Sequence, residues 1–166
     1  PAASCGSMNN IAIGAINATT GNDFTYYETI GGGMGARPEK DGLSGIHTHM
    51  TNTMNTPIEA LEHSFPLQIE EYSIRRNSGG TGKQNGGDGI IRSYRFLDDA
   101  HVSLLTERRE TAPYGLNNGE EGKKGHNYFI RDGEKKKLAG KVNLEVKKND
   151  RIVIETPGGG GWGGKE

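Results

Sequence analysis

Residues 141–157 read KVNLEVKKNDRIVIETP, two short aliphatic runs separated by a charged segment that ends in Asn149-Asp150. In KVNLEV the apolar residues alternate strictly. On an extended chain Val142, Leu144 and Val146 therefore share one face, and Asn143 and Glu145 occupy the other. A period of two bounded by turn residues is the signature of half-buried strands in an antiparallel sheet. The same signature recurs upstream in LQIEEYSIRR (67–76), GIIRSYRFL (89–97), HVSLLTERR (101–109) and NYFIRDG (127–133). Nearer the N-terminus, MNNIAIGAI (8–16) and DFTYYETI (23–30) read as strands by the same rule. The expected fold is mainly β, with antiparallel sheets in a sandwich-like arrangement and one or two short helices; an α+β fold is the second choice. The helix signal lies in PIEALEHSF (57–65), with Thr56 as N-cap, Pro57 at the first helical position, Glu59 in the first turn and Pro66 as the stop.

Composition narrows the class. Only 31% of the 166 residues are hydrophobic, while 27 are glycine, which points to turns and close backbone approaches in place of long helices. The glycine clusters GGGMGARP, GGTGKQNGGDG and GGGGWGG share no period, so no repeat architecture is expected. No linker divides the chain, and a single β-rich domain over residues 1–166 follows. Trp162 is expected to anchor the terminal glycines through its indole.

With 20 basic and 21 acidic residues, the charge balance points neither to nucleic acid nor to a charged membrane surface. The single cysteine, Cys5, excludes an internal disulfide and a cysteine-based zinc site, which suits a cytoplasmic protein. No stretch of 18 apolar residues is present, so no membrane span is expected. Asn17-Ala18-Thr19 matches a glycosylation acceptor, a triplet common by chance. The sequence opens at PAASCGSMNN without an initiator methionine, which reads as a piece of a longer chain.

Several motifs invite chemistry. SGGTGKQ (78–84) fails as a phosphate loop, because Asn77 and Gln84 stand where a glycine and a Ser or Thr are needed, and because it lies between two strands and leads into no helix. GGDGIIRSY fails as a calcium-binding repeat, since Ile91 takes the place of the aspartate and the unit does not recur. His47 and His49 are two residues apart, so on an extended chain both imidazoles leave one face, a spacing found in metal sites. No third ligand is identifiable, and they remain weak metal candidates. Thr51, Asn52, Thr53, Asn55 and Thr56 instead suggest a polar turn that bonds to its own backbone.

TERRETAPYGL (106–116) sets Arg108 beside Arg109. On a strand, neighbours face opposite ways, so one arginine is expected to be buried, and a buried guanidinium needs a carboxylate or an anion. Two readings stand level: an ion pair with Glu107, Glu110 or a carboxylate elsewhere, or a clamp for an anionic ligand. Glu28 is a candidate partner or site residue. The candidate site set is thus Glu28, His47, His49, Arg108 and Arg109.

YETIGGGMGARPEKDGLSGIHTHMTNTMNTPIEALE, YSIRRNSGGTGKQNGGDGIIRSYRF, LLTERRETAPYGL and the terminal IETPGGGGWG, in this order, resemble the C-terminal part of the hydantoinase B/oxoprolinase family. Asn85 and Asn118 depart from that family's usual arginine and glycine. The resemblance implies an ATP-dependent hydrolase of small cyclic amides, of the 5-oxoprolinase or N-methylhydantoinase B type, or in some relatives a ketone carboxylase. A purely structural β module in a larger complex is the other reading. In the family, a hydantoinase A-type subunit or domain binds ATP and phosphorylates the substrate carbonyl, and the B-type half completes the reaction at a divalent metal. The metal ligands are expected in the upstream B-type segment, so the resemblance implies that residues 1–166 alone bind no cofactor.

Overall fold

The computed structural model describes residues 1–16, 21–49 and 51–164; the Asn17-Ala18-Thr19 triplet lies outside them. The described elements are β1 (Asn9–Ile16), β2 (Asp23–Thr29), α1 (Ile58–Ser64), β3 (Leu67–Arg75), β4 (Gly89–Phe96), β5 (Ala100–Thr106), β6 (His126–Arg131), β7 (Glu134–Leu138), β8 (Lys141–Val146) and β9 (Arg151–Glu155). They form two sheets, ordered β2-β1-β5-β8 and β3-β4-β9-β6-β7, with every pairing antiparallel. The mainly β expectation holds.

A single apolar cluster joins the sheets, with Ile11, Ile13, Val102 and Leu104 from the first and Ile90, Tyr94, Phe96, Ile152 and Ile154 from the second. In β8 the alternation works as read: Val146 is buried, Val142 and Leu144 are half-buried, and Asn143 and Glu145 are exposed. The two runs that flank Asn149-Asp150 do not pair with each other. β8 pairs with β5 and β9 with β4 and β6, so the turn carries the chain from one sheet to the other. Asp150 holds that turn: its carboxylate accepts from the Lys147 amide (2.6 Å) and from Arg131 Nε and Nη2 (2.9 and 2.6 Å). Burial of Asp150 opposes ionisation, but these donors outweigh it and hold its carboxyl below the usual range.

The helix lies where expected but is capped differently. Pro57 is the capping residue, with ψ 140°, Ile58 is the first helical residue, and no side chain caps the amides. Thr56 lies one residue before the cap, and its side chain bonds to Tyr26. Leu61 is buried, and the adjoining Phe65 packs on Phe24 and Tyr26 at ring-centroid distances of 5.4 and 5.2 Å.

The glycines build a second structural unit. Residues 158–163 run through the backbone of the other glycine-rich segments, and each amide finds an acceptor outside its own segment. Gly158 donates to Lys123, Gly159 to Gly87, Gly160 to Ala3, Gly161 to Glu120, Trp162 to Gln84 and Gly163 to Leu116. Gly158 and Gly161 thus address the 120–123 segment and Gly159 and Trp162 the 84–87 segment, while Gly160 reaches Ala3 and Gly163 reaches Leu116. A Cβ at Gly158, Gly159, Gly160 or Gly161 would overlap the carbonyls of Ser78, Met34, Tyr114 and Thr81 respectively. The tail is therefore ordered by its main chain. Trp162 exchanges backbone hydrogen bonds with Gln84 in both directions (2.8 and 2.9 Å) and is half-buried.

Replacing Gly160 with alanine is expected to cost about 3 kcal/mol or more through overpacking against backbone that cannot move aside. In a domain of this size that lowers the melting temperature by roughly 6–12 °C. Gly14→Ala, whose added methyl would lie 3.9 Å from its nearest neighbour, should leave the melting temperature nearly unchanged. Calorimetry of the two variants checks the contrast.

Candidate functional site

After β5 the chain leaves the sheet, and residues 107–111 form a series of bends. Arg108 and Arg109 are therefore not strand neighbours. Arg108 adopts φ +56°, a left-handed conformation uncommon for a residue with a side chain. Arg109 is nevertheless the buried member of the pair, at 8% exposure, and Arg108 is half-buried.

Among the described residues, Arg109 has none of the carboxylate ion pairs expected for it. Its Nη1 donates to Asn9 Oδ1 of β1 (2.7 Å) and to the Glu107 carbonyl (2.6 Å), while Nη2 and Nε donate to Asn127 Oδ1 of β6 (2.8 and 3.2 Å). Asn127 in turn donates to Thr106 Oγ1 (2.8 Å), and the Thr106 hydroxyl donates to the Gly140 carbonyl (2.8 Å). Neutral oxygens satisfy the planar donors without the cost of desolvating a second ion, and they tie the two sheets together. The guanidinium charge is thus held without an ion pair among the described residues. Burial, with repulsion from Arg75, pushes its pKa down to about 9, so it remains cationic at neutral pH.

Glu28 faces the core from β2 and belongs to a different cluster. Arg92 Nη2 donates to its Oε1 (3.0 Å), the Tyr94 hydroxyl donates to Oε2, and Asn55 Nδ2 donates to Oε1 (2.5 Å) and to the Thr29 carbonyl (3.1 Å). Arg92 and Tyr94 are completely buried, and the guanidinium stacks on the Tyr72 ring at 4.2 Å. Burial, and then the Glu28 charge, pushes the Tyr26 phenol up to about 12 and Tyr94 well above its ordinary value. Both stay neutral. The cluster is a second polar tie between the sheets, and it also fixes the segment that leads into α1.

The extended geometry needed for His47 and His49 to share a face does not form. His49 has φ +59°, and the Thr48 carbonyl accepts from both the amide and the hydroxyl of Thr51 (3.3 and 2.8 Å), the self-bonded polar turn. His47 Nδ1 is buried without a hydrogen-bond partner. Among the described residues, no three His, Cys, Asp or Glu side chains converge on a point that would hold a metal ion.

A cleft of about 710 Å³ brings part of the candidate set together: His49, Arg108 and Arg109 line it with Gly6, Ser7, Glu107, Glu110, Gly140 and Lys141. The register of the first sheet explains the assembly. Asn9 pairs with Thr106 and Leu105 with Lys141, so the segment before β1, the bends after β5 and the start of β8 meet at one sheet end. Glu28 and His47 do not line this cleft. Lys141 and the Asn9–Asn127 pair are contributed only by register, whereas Arg92 had a sequence signal, an arginine in the apolar phase of GIIRSYRF.

The hydantoinase B/oxoprolinase family model matches residues 1–165. The chain belongs to this family. The 5-oxoprolinase 1 of Arabidopsis thaliana is 44% identical over 163 residues, covering 98% of this chain and 12% of that protein. The ATP-dependent caprolactamase of Pseudomonas jessenii is similar in structure, with a TM-score of 0.82 and 26% identity over 98% of this chain and 30% of that one. The nucleotide-free acetone carboxylase shares the fold at a TM-score of 0.80 and 19% identity, covering 98% and 26%. The family member described by residues 1–166 thus spans less than a third of each of these relatives.

Replacing Arg92 with Met should cost about 3–5 kcal/mol by stranding Glu28 in the core. Adding Glu28→Gln should recover part of that loss, so the double variant is more stable than the sum of the singles predicts. Urea unfolding of the four proteins in the cycle measures the coupling.

Proposed function

We propose that this chain is the C-terminal segment of an ATP-dependent cyclic-amide hydrolase of the 5-oxoprolinase or N-methylhydantoinase B kind, supplying walls and positioning groups to a site that other segments complete. The supporting observation is the cleft at the end of the first sheet, where His49 and the two arginines meet in a chain that is 44% identical to a 5-oxoprolinase. A purely structural module has no need of cationic side chains gathered around an open cleft.

The chemistry of a lactam explains the division of labour. An amide oxygen is a poor leaving group, and transfer of a phosphoryl group to it creates a good one. That transfer needs a cradle for the nucleotide phosphates, usually completed by a divalent metal. The glycine-rich loop at 78–88 fits no such cradle, because its backbone is committed elsewhere: Gly80 donates to Gly159, Gln84 to Trp162, and Gly86 to Gly80. The described residues also offer no metal-ligand cluster. In this reading ATP belongs to a hydantoinase A-type partner, the divalent metal belongs to the upstream B-type segment, and the assembly is a cytoplasmic hetero-oligomer. This chain retains charged intermediates against the Arg108 side of the cleft.

The chain by itself should give no ATP-dependent ring opening of 5-oxoproline. In the assembled enzyme, Arg108→Ala should lower kcat/KM about tenfold, a loss of roughly 1.4 kcal/mol of transition-state stabilisation. Lys136→Ala, in the exposed strand β7, should leave it unchanged. Equal activity of the two variants would support the purely structural role.

A further inference from the structure

We infer that the cleft formed by the 6–7 turn, the 107–111 bends and the start of β8 is a binding site for a small oxyanion, a phosphate or a carboxylate, held by Arg108 and Lys141. The inference deepens the proposed function by naming the ligand class of that cleft, and its geometric grounds are those of the cleft itself.

Four observations carry it. First, Arg108 is under-used by the protein. A guanidinium has five N–H donors, yet the hydrogen bond of Arg108 is a long one, from Nη1 to the Ala112 carbonyl at 3.4 Å, and its other contact is the Tyr114 ring at 5.9 Å. Among the described residues no carboxylate forms an ion pair with it. Second, the backbone at Arg108 sits at φ +56°, a conformation that costs energy for a residue with a side chain and that recurs where a group is held for a ligand.

Third, Arg109 places a full positive charge in the wall behind Arg108, and its hydrogen-bond partners are all neutral oxygens. A charge held in a low-dielectric wall is weakly screened and projects its potential into the adjoining solvent. Among the lining groups the three cations Arg108, Arg109 and Lys141 outnumber the two carboxylates Glu107 and Glu110. Glu107 is exposed and accepts from the Ser7 amide at 2.7 Å, and Glu110 is exposed. Fourth, glycine lets the walls of the cleft pack closely against the groups that line it. A Cβ at Gly6 would press on Glu107 Oε2 at 2.6 Å, and one at Gly140 would crowd Thr106 O at 2.8 Å and Arg109 Cγ at 3.2 Å.

An oxyanion with two or more oxygens matches this set, since guanidinium binds such groups through paired hydrogen bonds and an ammonium adds a point charge. His49 lines the same cleft and supplies a further imidazole contact.

The test is an amide-resolved NMR titration of the chain at low ionic strength, with sodium phosphate and sodium acetate in separate arms and sodium chloride as the matched-salt control. Saturable shifts at Gly6, Ser7, Arg108 and Glu110 are expected with at least one oxyanion, and not with chloride. Saturation by phosphate alone assigns a phosphoryl ligand, saturation by acetate alone assigns a carboxylate, and saturation by both leaves the site open to either. Arg108→Ala and Lys141→Glu should each weaken binding about tenfold or more, and Arg108→Lys should weaken it less. Lys141 is exposed, so its charge reversal keeps the test valid even if Arg108→Ala disturbs the bends. Absence of saturable shifts with both oxyanions, or undiminished binding in both charge variants, would overturn the inference. Inactivity of the assembled enzyme would leave this result standing, whereas failed binding would remove the anion-retaining role of the cleft and leave the family membership and the assignment of ATP to other segments in place.

Discussion

Backbone crowding around Gly158–Gly161 is the constraint on which the arrangement of the loops depends. A segment outside any sheet must still find acceptors for its buried amides. Here it finds them on three surrounding stretches of chain, near Ala3, Gln84–Gly87 and Leu116–Lys123. Those stretches are far apart in sequence, so the tail positions the N-terminus, the β3–β4 loop and the segment after the 107–111 bends relative to one another. Close approach leaves no room for Cβ atoms, which accounts for the glycine content better than chain flexibility does. Ordering so many glycines is entropically costly. The hydrogen bonds made on every side of the tail offset that cost.

The two sheets are joined by apolar burial and also by two arginines that solve the same problem in different ways. Arg92 meets the buried carboxylate of Glu28 and the Tyr94 phenol, while Tyr94 and Asn55 donate to the same carboxylate, so its charge is matched within the core. Arg109 meets amide and carbonyl oxygens, so its hydrogen bonds are satisfied while its charge is not. The first arrangement is electrostatically closed. The second leaves the guanidinium without an ion pair among the described residues, and Arg109 lines the cleft shared by His49, Arg108 and Lys141.

The strands were legible because each carries its period of two and its turn residues locally, and α1 because proline, a charged first turn and a second proline bracket it. The Thr56 cap was misread: propensity favours threonine at that position, but the hydroxyl found Tyr26 across the fold. The site was legible only in part. Arg108, Arg109 and His49 were singled out as chemical groups and do share a cleft. Glu28 proved to be a core partner of Arg92, and His47 and His49 lost their common face to one left-handed residue.

By itself the sequence determined the strand content, the position of the helix, the exclusion of a phosphate loop and, through its ordered motifs, the family. These properties are written in neighbouring residues, where periodicity and steric preference act over a few positions. Only the tertiary structure decided the partners of each charge. Asn9, Asn127 and Glu28 lie 100, 18 and 64 positions from the arginines they serve. The choice between a neutral and an ionised partner follows from which inward-facing groups the strand register places within hydrogen-bond reach, and local pattern does not encode that register.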